Sequence, residues 1–472
     1  MHFGWAQFNH PACTPLDIAD RSIRYAFHSM FLNTHPSNPS EPVLTQSVQE
    51  SVNHWALPKW ECILALCAQS VNMVFMDKLR RAVNEIAYSQ DHSKLPTLHR
   101  SLVPLLSLAS SLYKVALLIR HHLYQFGVFS KHRLPVPVIS VGNLTWGGNG
   151  KTPMVEFISL WLADSGLSPL ILTRGYGGGD EARMLERHLL GRPAKIGVGP
   201  DRAAVAASFF EKYGCLDPLN SILFERIGPK QKLGDHPSSE NIGAVILDDG
   251  MQHWRLKREL EIVMVNGLMP WGNHQLLPLG PLREPLTSLR RADVAVVHHS
   301  DLVSEQKVKD AVLSMREINE SLPIFFSRMS PSHFFEIGNI NANIPLSVVH
   351  NVAVLCVSAI GSANSFVRGM EKVGSFFVDQ LDFSDHHSLQ AEDVEKISMR
   401  VRDLELKFGI ETIVVVTEKD YDRDPVILKQ LEPVKVFVLC SKLQIVPKNG
   451  YTEDSFKNLL KELLKARLSH TG

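Results

Sequence analysis

The sequence predicts an α/β protein in which a phosphate-binding loop (P-loop) lies in a doubly wound, mostly parallel sheet. A second, smaller α/β domain is expected to follow this sheet, and an N-terminal membrane-associated helix is expected to precede it. Three observations predict this fold. A short β-branched strand leads into a glycine-rich loop and an apolar helix; uncharged strands alternate with helical patterns from residue 135 onward; and the alternation restarts after residue 350. Apolar strands separated by helices are typical of a parallel sheet covered on both faces.

The strand, loop and helix lie in Val136–Pro153, which reads VPVISVGNLTWGGNGKTP. Its glycines let backbone N–H groups turn toward a polyphosphate, and the helix N-terminus adds the positive end of its dipole. Lys151 is expected to reach the β- and γ-phosphates, and Thr152 to ligate Mg²⁺. Thr145 occupies the position of the first glycine in the usual P-loop motif. The alternative interpretation is that this segment is an ordinary glycine-rich turn before a helix and not a phosphate-binding loop. The predicted nucleotide-binding residues are Gly147, Gly148, Asn149, Gly150, Lys151 and Thr152.

The amino-acid composition indicates a globular protein and argues against a nucleic-acid-binding one. The chain has 472 residues, 44% of them hydrophobic and 21% charged, and a formal net charge of zero. This is ordinary globular composition with room for two or three domains. A nucleic-acid partner is not expected, because neither a basic excess nor a DNA- or RNA-reading motif is present. The six scattered cysteines predict buried free thiols in a reducing compartment.

Residues 76–134 are predicted to form a membrane-associated helical segment. Within them Leu102–Ile119 is almost entirely apolar, but Pro104 and Lys114 interrupt it. It is therefore short and flawed as a membrane-spanning helix. An interfacial helix fits better, with its apolar face in lipid and flanking cations on an anionic membrane surface. A buried helix of the protein core is the alternative.

The remaining boundaries follow from changes in pattern. Residues 1–75 have no strong periodicity and are predicted to be a poorly defined extension or targeting region. The P-loop domain is expected at 135–330. Ser330–Leu346 has turn composition, so a linker is predicted at 331–350, followed by the smaller domain at 351–472.

An apolar strand that ends in two carboxylates completes the expected phosphate site. This strand runs from Ala244 into Asp248 and Asp249. In P-loop proteins such a carboxylate holds Mg²⁺, directly or through water. Both aspartates are candidates, and the sequence does not decide between them.

Further polar clusters follow other predicted strands, where ligands bind in open α/β sheets. A hydroxyl that attacks a γ-phosphate needs a group to take its proton, and Asp180 and His386 are of suitable types. Spacing alone does not pair these two residues, and each cluster taken singly also fits a helix cap or a turn. The candidates for substrate binding in these clusters are Arg174, Tyr176, Glu181, Gln252, His253, Asn273, Arg283 and Glu284.

Six motifs occur in one order: VGNLTWGGNGKTP, ILTRGYGGGDE, VILDDGMQHW, GNHQLLPLGPLREP, DHH and VVTEKD. On these motifs residues 76–450 resemble the tetraacyldisaccharide 4′-kinase family, and the departure at Thr145 is shared with that family. The resemblance implies ATP- and Mg²⁺-dependent phosphorylation of the 4′-hydroxyl of a lipid-anchored glucosamine disaccharide phosphate, a lipid A precursor, at a membrane surface. Residues 1–75 have no counterpart in the family pattern. Together with the cysteine pattern, this extension predicts an organellar, plant-like member of the family, located in mitochondria.

The resemblance further assigns roles to individual residues. It implies that Asp180 and His386 form a catalytic dyad. It implies that Arg283 with Glu284 meets the sugar phosphate. The residues implied to line the rest of the site are Asp248, Asp249, Gln252 and His253.

A nucleotide-dependent switch or metal-delivery GTPase is the competing hypothesis, because such proteins also use deviant P-loops. It would need a guanine-reading element of the N-K-x-D type after a late strand. Thr417–Asp420, which reads TEKD, has only a superficial similarity to one. Glu418 replaces the asparagine that would read the base edge, so the kinase hypothesis is favoured.

Overall fold

Twelve β-strands form one sheet in the computed structural model, which describes residues 78–175, 179–216, 240–448 and 450–469. The predicted extension, residues 1–75, and Tyr176 lie outside the described residues. The described residues belong to one compact unit, Val74–Gly472. The strands are β1 (Val138–Gly142), β2 (Ser168–Thr173), β3 (Lys195–Val198), β4 (Ile242–Asp248), β5 (Leu260–Asn266), β6 (Val294–His298), β7 (Ile324–Glu336), β8 (Asn339–Ile344), β9 (Ala353–Ser358), β10 (Phe377–Asp382), β11 (Thr412–Thr417) and β12 (Val436–Ile445).

Helices cover the sheet and connect most of its strands. Residues 78–88 are also helical. The longer helices and the two short ones near the site are α1 (Thr97–Gln125), α2 (Lys151–Asp164), α3 (Asp180–His188), α4 (Arg202–Tyr213), α5 (Glu305–Arg316), α6 (Ala363–Val373), α7 (Ala391–Phe408), α8 (Glu418–Arg423), α9 (Pro425–Lys429) and α10 (Glu453–Ser469).

The strand order is β10-β9-β11-β12-β7-β6-β5-β1-β4-β2-β3, with β8 paired to β7. Among these strands only the β12–β7 and β7–β8 pairs are antiparallel. The P-loop strand β1 lies between β4 and β5, buried along its whole length. The predicted doubly wound, mostly parallel sheet is confirmed, and the strand that carries Asp248 is the direct neighbour of the P-loop strand.

The predicted linker at 331–350 is wrong at the level of secondary structure. Strand β7 continues through Glu336, and β8 and a short 3-10 helix, Leu346–Val349, fill most of the remainder. The first residues of β7, Ile324–Ser327, pair with β6, whereas Ser327–Glu336 pair with β12. The two halves of the sheet are therefore joined by two long paired strands. Turn-like composition misled the prediction because β7 and β8 are partly exposed.

Helix α10 shows that the range predicted for the second domain, 351–472, is too long. Phe456, Leu460 and Leu464 of α10 are buried in the same core cluster as Ile139 of β1 and Ile158 of α2. The C-terminal helix therefore packs on the half of the sheet that carries the P-loop. The core of the other half is built around β9 and β11, with α7 on one face and α6 on the other.

Helix α1 is not a buried helix of the core, so that alternative is wrong. It is long and apolar enough to cross a membrane by length and composition, and only 6% of its most apolar window is buried. The inward face makes specific contacts: Ser110 Oγ donates to the Leu276 carbonyl oxygen at 2.9 Å, and Tyr113 Oη donates to that of Arg283 at 2.8 Å. The outward face is a row of exposed leucine, valine and isoleucine side chains.

We predict that Phe456→Ala lowers the free energy of unfolding by about 3–5 kcal/mol, because Phe456 is fully buried against Phe325 and leaves a large cavity. Urea denaturation measures the change. Phe376→Ala is the matched control, since Phe376 is 61% exposed and its loss should cost little. Equal destabilisation by the two substitutions would contradict the packing of α10 in this core.

Candidate active site

The buried side chain of Asn149 helps to hold the P-loop in shape. Its amide nitrogen donates to the carbonyl oxygens of Thr145, Trp146 and Gly147 at 2.9–3.3 Å. The Thr145 hydroxyl donates to the Asn149 side-chain oxygen at 3.3 Å, which explains why a threonine serves at that position. Asn149 therefore organises the predicted nucleotide-binding loop from within, and its side chain points at the loop backbone.

The glycines of the loop are required where other elements approach. Gly150 has a left-handed backbone, with φ of 77°, and a Cβ there would clash with the His298 ring. Gly148 lies against Gly361 and Ser362 of the turn after β9, and a Cβ on Gly361 would clash with the Gly148 nitrogen. The P-loop is thus contacted by the second half of the sheet at a place where only glycine fits.

Thr152 and Asp248 face each other at the end of the loop. The Thr152 hydroxyl donates to Asp248 Oδ2 at 3.3 Å. Asp248 is 2% exposed, and its Oδ1 has no hydrogen-bond partner in the part of the chain described here. Burial and the nearby Glu181 carboxylate raise the pKa of Asp248 to about 7. A buried oxygen without a donor beside a threonine hydroxyl suits a hard cation.

Asp249 is instead held by cations. Both of its carboxylate oxygens accept from Arg283 Nη1, at 2.7 and 2.9 Å, and Lys151 Nζ lies 3.7 Å away. Burial opposes ionisation, but the charges of Lys151 and Arg283 outweigh it and lower the pKa of Asp249 to about 2. Asp249 is therefore ionised at physiological pH and holds Lys151 and Arg283 close to each other. Of the two aspartates, Asp248 is the better placed to bind a metal ion.

Asp180 and His386, which spacing alone does not pair, lie in contact. His386 Nδ1 is 3.3 Å from Asp180 Oδ2 across the two halves of the sheet. Asp180 is fully buried at the start of α3, while the His386 side chain is 30% exposed. The hydrogen bond to Asp180 raises the pKa of His386 against the opposing effect of burial. The pair has the geometry of an acid–base couple.

Helices α3 and α8 are joined by several ion pairs with little exposure. Arg187 of α3 contacts Glu418 at 3.1 Å and Asp422 at 2.7 Å. His188 lies between Glu156 and Glu418, at 2.9 and 2.6 Å. Burial disfavours a charged His188, but the two glutamates outweigh it and raise its pKa to about 10. This interface fixes α3, and Asp180 with it, against the second half of the sheet.

The TEKD motif takes part in that interface and does not read a base. Thr417 caps α8 by accepting from the Asp420 N–H, and Lys419 Nζ pairs with Glu181 at 2.6 Å. Asp420 is buried, and its carboxylate accepts from the Ala359 N–H at 3.0 Å and from the Thr417 hydroxyl at 2.6 Å. An enclosed carboxylate with these donors cannot bind a guanine edge, so the switch hypothesis is not favoured.

Gln252 and His253 follow Asp249 at the edge of the site. The Gln252 amide donates to the Arg283 carbonyl oxygen at 2.9 Å. His253 Nε2 is buried with no hydrogen-bond partner among the residues that the structure describes. Burial and the charge of Arg202 lower the pKa of His253 to about 4, so its imidazole is neutral at physiological pH. A neutral ring with a free nitrogen suits a hydrogen bond to a polar substrate.

Three other predicted substrate residues contribute differently. The Asn273 amide donates to the carbonyl oxygens of Ile86 and Leu279 and shapes its loop. Glu284 is 4% exposed and pairs with Arg291 at 2.6 Å. Arg174 is exposed after β2. Their roles toward a substrate stay predictions, as does that of Tyr176, which lies outside the described residues.

Two residues that sequence reasoning missed stand beside the predicted ones. Arg423 Nη2 donates to Asp180 Oδ2 at 2.7 Å. Arg202, at the first turn of α4, donates to the Asp249 carbonyl oxygen at 3.2 Å. The TEKD motif indicated this part of the chain, but an arginine as the last residue of a six-residue helix is not by itself a sign of a functional role.

Comparisons with known proteins agree on one family. The family model described as tetraacyldisaccharide-1-P 4′-kinase matches residues 102–465. An Arabidopsis thaliana protein named "Probable tetraacyldisaccharide 4′-kinase, mitochondrial" is 57% identical over 392 residues, 83% of this chain and 99% of that protein. A Chlorobaculum parvum tetraacyldisaccharide 4′-kinase is 32% identical, covering 77% of this chain and 96% of its own length.

A solved structure is similar as well. It is a crystal structure of LpxK from Aquifex aeolicus in complex with ATP. The TM-score is 0.50 at 25% sequence identity, and the match covers 78% of this chain and all of the other.

We predict that stability falls as pH rises from about 6.5 to about 10 through His188. The pKa of His188 is about 10 in the folded state and 6.5 ordinarily. The contribution of this residue to the free energy of unfolding is therefore fully present below pH 6.5 and is lost as the pH approaches 10. Urea denaturation at several pH values should show this decline in the wild type and a flatter profile in His188→Gln. His122→Gln, a change on exposed α1, should keep the wild-type profile; parallel profiles for all three proteins would contradict the pairing.

Proposed function

The chain belongs to the tetraacyldisaccharide-1-P 4′-kinase family, and on that premise we propose that it transfers the γ-phosphoryl group of ATP to the 4′-hydroxyl of a tetraacyldisaccharide 1-phosphate, a lipid A precursor, at a membrane surface. One observation carries the proposal. Lys151, Thr152, Asp248 and Asp249 lie together at the P-loop, and Glu181, which interacts electrostatically with Lys151 and Asp248, directly follows Asp180, which contacts the partly exposed imidazole of His386.

The nucleotide is assigned to the P-loop. Backbone N–H groups around Gly147–Gly150 and the α2 N-terminus suit its phosphates. Lys151, held near Asp249, is placed to stabilise charge on the transferring phosphoryl group. In the solved relative the bound nucleotide is ATP.

Mg²⁺ fits the pair formed by Thr152 and Asp248. The Asp248 oxygen without a hydrogen-bond partner and the Thr152 hydroxyl would hold the ion. No cluster of three or more His, Cys, Asp or Glu side chains suited to a metal occurs among the described residues. A site with few protein ligands is usual for Mg²⁺, which keeps waters and binds phosphate oxygens. Bound there, the ion would neutralise charge on the β- and γ-phosphates.

The acceptor is assigned to the side of the P-loop where His386 is exposed. Asp180 and His386 together would take the proton of the 4′-hydroxyl as its oxygen attacks the γ-phosphorus. Arg283, already oriented by Asp249, and neutral His253 would bind the sugar phosphate and its neighbouring polar groups. Glu181, Gln252 and Glu284 complete the polar surface on which the disaccharide is expected to lie.

Helix α1 connects this site to the membrane. Its inward face is hydrogen-bonded to the polypeptide around the site, for example by Arg120 Nη2, which donates to the Gln252 carbonyl oxygen at 2.5 Å. The outward face exposes Leu98, Leu105, Leu108, Leu112, Val115, Leu118 and Ile119 by 50–73%. Such a face would insert among acyl chains, with basic residues on anionic head groups. The lipid-anchored acceptor would then reach the site without leaving the membrane surface.

The location is proposed from the same family. The Arabidopsis relative carries a mitochondrial name, and the two chains are 57% identical. We therefore assign this protein to an organelle, with the mitochondrion as the specific proposal. The exposed apolar face of α1 supports association with a membrane there.

We predict that the protein adds one phosphate to a tetraacyldisaccharide 1-phosphate with ATP and Mg²⁺, detected by mass spectrometry of the lipid. Lys151→Ala should lower the rate by about 10²- to 10³-fold, because it removes a cation that stabilises the transition state. Lys372→Ala, a surface change, is the control and should leave the rate near wild type. Absence of a phosphorylated lipid with the wild type, or full activity of Lys151→Ala, would reject the proposed function.

We predict that replacing Leu105, Leu108 and Leu112 with Gln weakens binding to anionic phospholipid vesicles by about tenfold or more, because each exposed leucine would be buried in lipid. Sedimentation with vesicles measures the bound fraction. A matched triple variant changes three leucines that are exposed elsewhere, Leu190, Leu313 and Leu406, and should bind like the wild type. If both variants bind equally well, α1 is not the membrane-binding element.

A further inference from the structure

The P-loop is supported by side chains from the carboxyl ends of β5 and β6. Asn266 ends β5, His298 ends β6, and the two residues are direct partners in the register of these parallel strands. The Asn266 amide donates to the Gly148 carbonyl oxygen at 3.1 Å. The His298 ring packs against Gly150, where a Cβ would lie 2.5 Å from His298 Cδ2 and 2.7 Å from Nε2. Each strand therefore contributes one polar side chain that contacts the loop.

His298 contacts the loop as a neutral ring. It is 1% exposed. Burial and the adjacent His299 hold the pKa of His298 well below its ordinary value, so the imidazole carries no charge at physiological pH. A neutral ring adds no cation to a phosphate site, whereas Lys151 does. His298 therefore acts on the P-loop through its shape, as the surface against which the left-handed backbone of Gly150 lies.

The other side of the His298 ring is held by Ser327. His298 Nδ1 lies 2.9 Å from the Ser327 hydroxyl oxygen, and Ser327 is fully buried. In β7, Ser327 pairs with His298 of β6 and also with Ile445 of β12. Ser327 is thus the residue at which β7 passes from one half of the sheet to the other. The His298 ring connects this crossing point to Gly150 of the P-loop.

We propose that His298 is a positioning residue for the nucleotide: held by Ser327, it keeps Gly150 in the conformation in which the P-loop amides bind the phosphates of ATP. The inference rests on the proposed function, from which it takes the assignment of ATP to the P-loop. It adds that the shape of the loop depends on the crossing point of β7. Because His298 lies against Gly150, it should affect the binding of ATP and not that of the acceptor.

The contact between His298 and Gly150 allows a test that a loss of stability cannot imitate. Gly150→Ala adds a methyl group that meets the ring and strains a left-handed backbone, so ATP should bind about 100-fold more weakly. Adding His298→Ala to that variant removes the ring and should restore binding by about tenfold, because only the backbone strain remains. In the wild-type background, His298→Ala removes the support of the loop and should weaken ATP binding by about tenfold. The same substitution should therefore act in opposite directions in the two backgrounds.

Two milder variants separate the ring from its anchor. Ser327→Ala removes the anchor and keeps the ring, whereas His298→Asn keeps a polar partner for Ser327 and lacks the ring edge that meets Gly150. Each should raise the Kd for ATP by about three- to tenfold, with kcat and the KM for the acceptor within about twofold of the wild type. The double variant should be little worse than either single one, because both substitutions act through one contact. Calorimetric titration with ATP and Mg²⁺ measures the Kd.

Ser168→Ala is the matched control. Ser168 is a buried serine whose hydroxyl donates to the Pro193 carbonyl oxygen, but it begins β2 and so lies at the opposite edge of the sheet from the P-loop. This variant should lower the unfolding temperature and leave the Kd for ATP unchanged. Thermal unfolding identifies any variant that does not fold, and Ser327→Ala and His298→Asn decide the inference if His298→Ala is among them.

The inference is overturned if folded Ser327→Ala and His298→Asn both bind ATP like the wild type. It is also overturned if His298→Ala weakens the binding of ATP to Gly150→Ala further instead of restoring it. A wild type that shows these shifts in ATP binding but phosphorylates no lipid would support the inference and reject the proposed function. A wild type that binds no ATP would overturn both.

Discussion

The site depends on the pairing of buried charges between α3 and α8. Arg187 of α3 bonds the carboxylates of Glu418 and Asp422 on α8. Arg423 of α8 bonds Asp180 on α3 and Asp420 of its own helix, and Lys419 pairs with Glu181. An unpaired charge in such a place costs several kcal/mol, whereas each pair roughly offsets its own desolvation. The interface therefore adds little net stability but selects one relative placement of the two helices. In that placement Asp180 reaches His386.

The phosphate site uses burial in a different way on two adjacent carboxylates. Asp249 is compensated by Lys151 and Arg283 and stays ionised, while buried Asp248 lacks such partners and has a pKa near 7. In the proposed function, Asp249 would position cations toward the γ-phosphate, and Asp248 would present an oxygen to Mg²⁺. Neighbours in sequence acquire separate roles because β4 ends between them: Asp248 is the last strand residue, and Asp249 turns away with φ of 53°.

Most of the fold and much of the site could be predicted from patterns in adjacent residues. Apolar runs predicted β1, β4 and β9, and the P-loop helix, because those signals lie in adjacent residues. The sequence could not reveal that β12 pairs antiparallel with β7, or that α10 packs on the first half, because both depend on contacts between distant segments. Arg423 was not predicted as a site residue for the same reason, because its partner, Asp180, is 243 residues away in the sequence. The pairing of Asp180 with His386 came from resemblance and not from spacing.

Helix α1, the proposed membrane-binding element, is connected to the proposed phosphate site by a short series of hydrogen bonds. Tyr113 Oη donates to the carbonyl oxygen of Arg283, whose guanidinium bonds Asp249, the residue beside the proposed metal ligand. A helix with an apolar outward face thus lies two contacts from the phosphate site. An acceptor whose acyl chains stay in lipid needs its sugar hydroxyl close to the surface, and this arrangement meets that need without a mobile arm. The position of α1 therefore favours a lipid-anchored acceptor over a freely diffusing sugar.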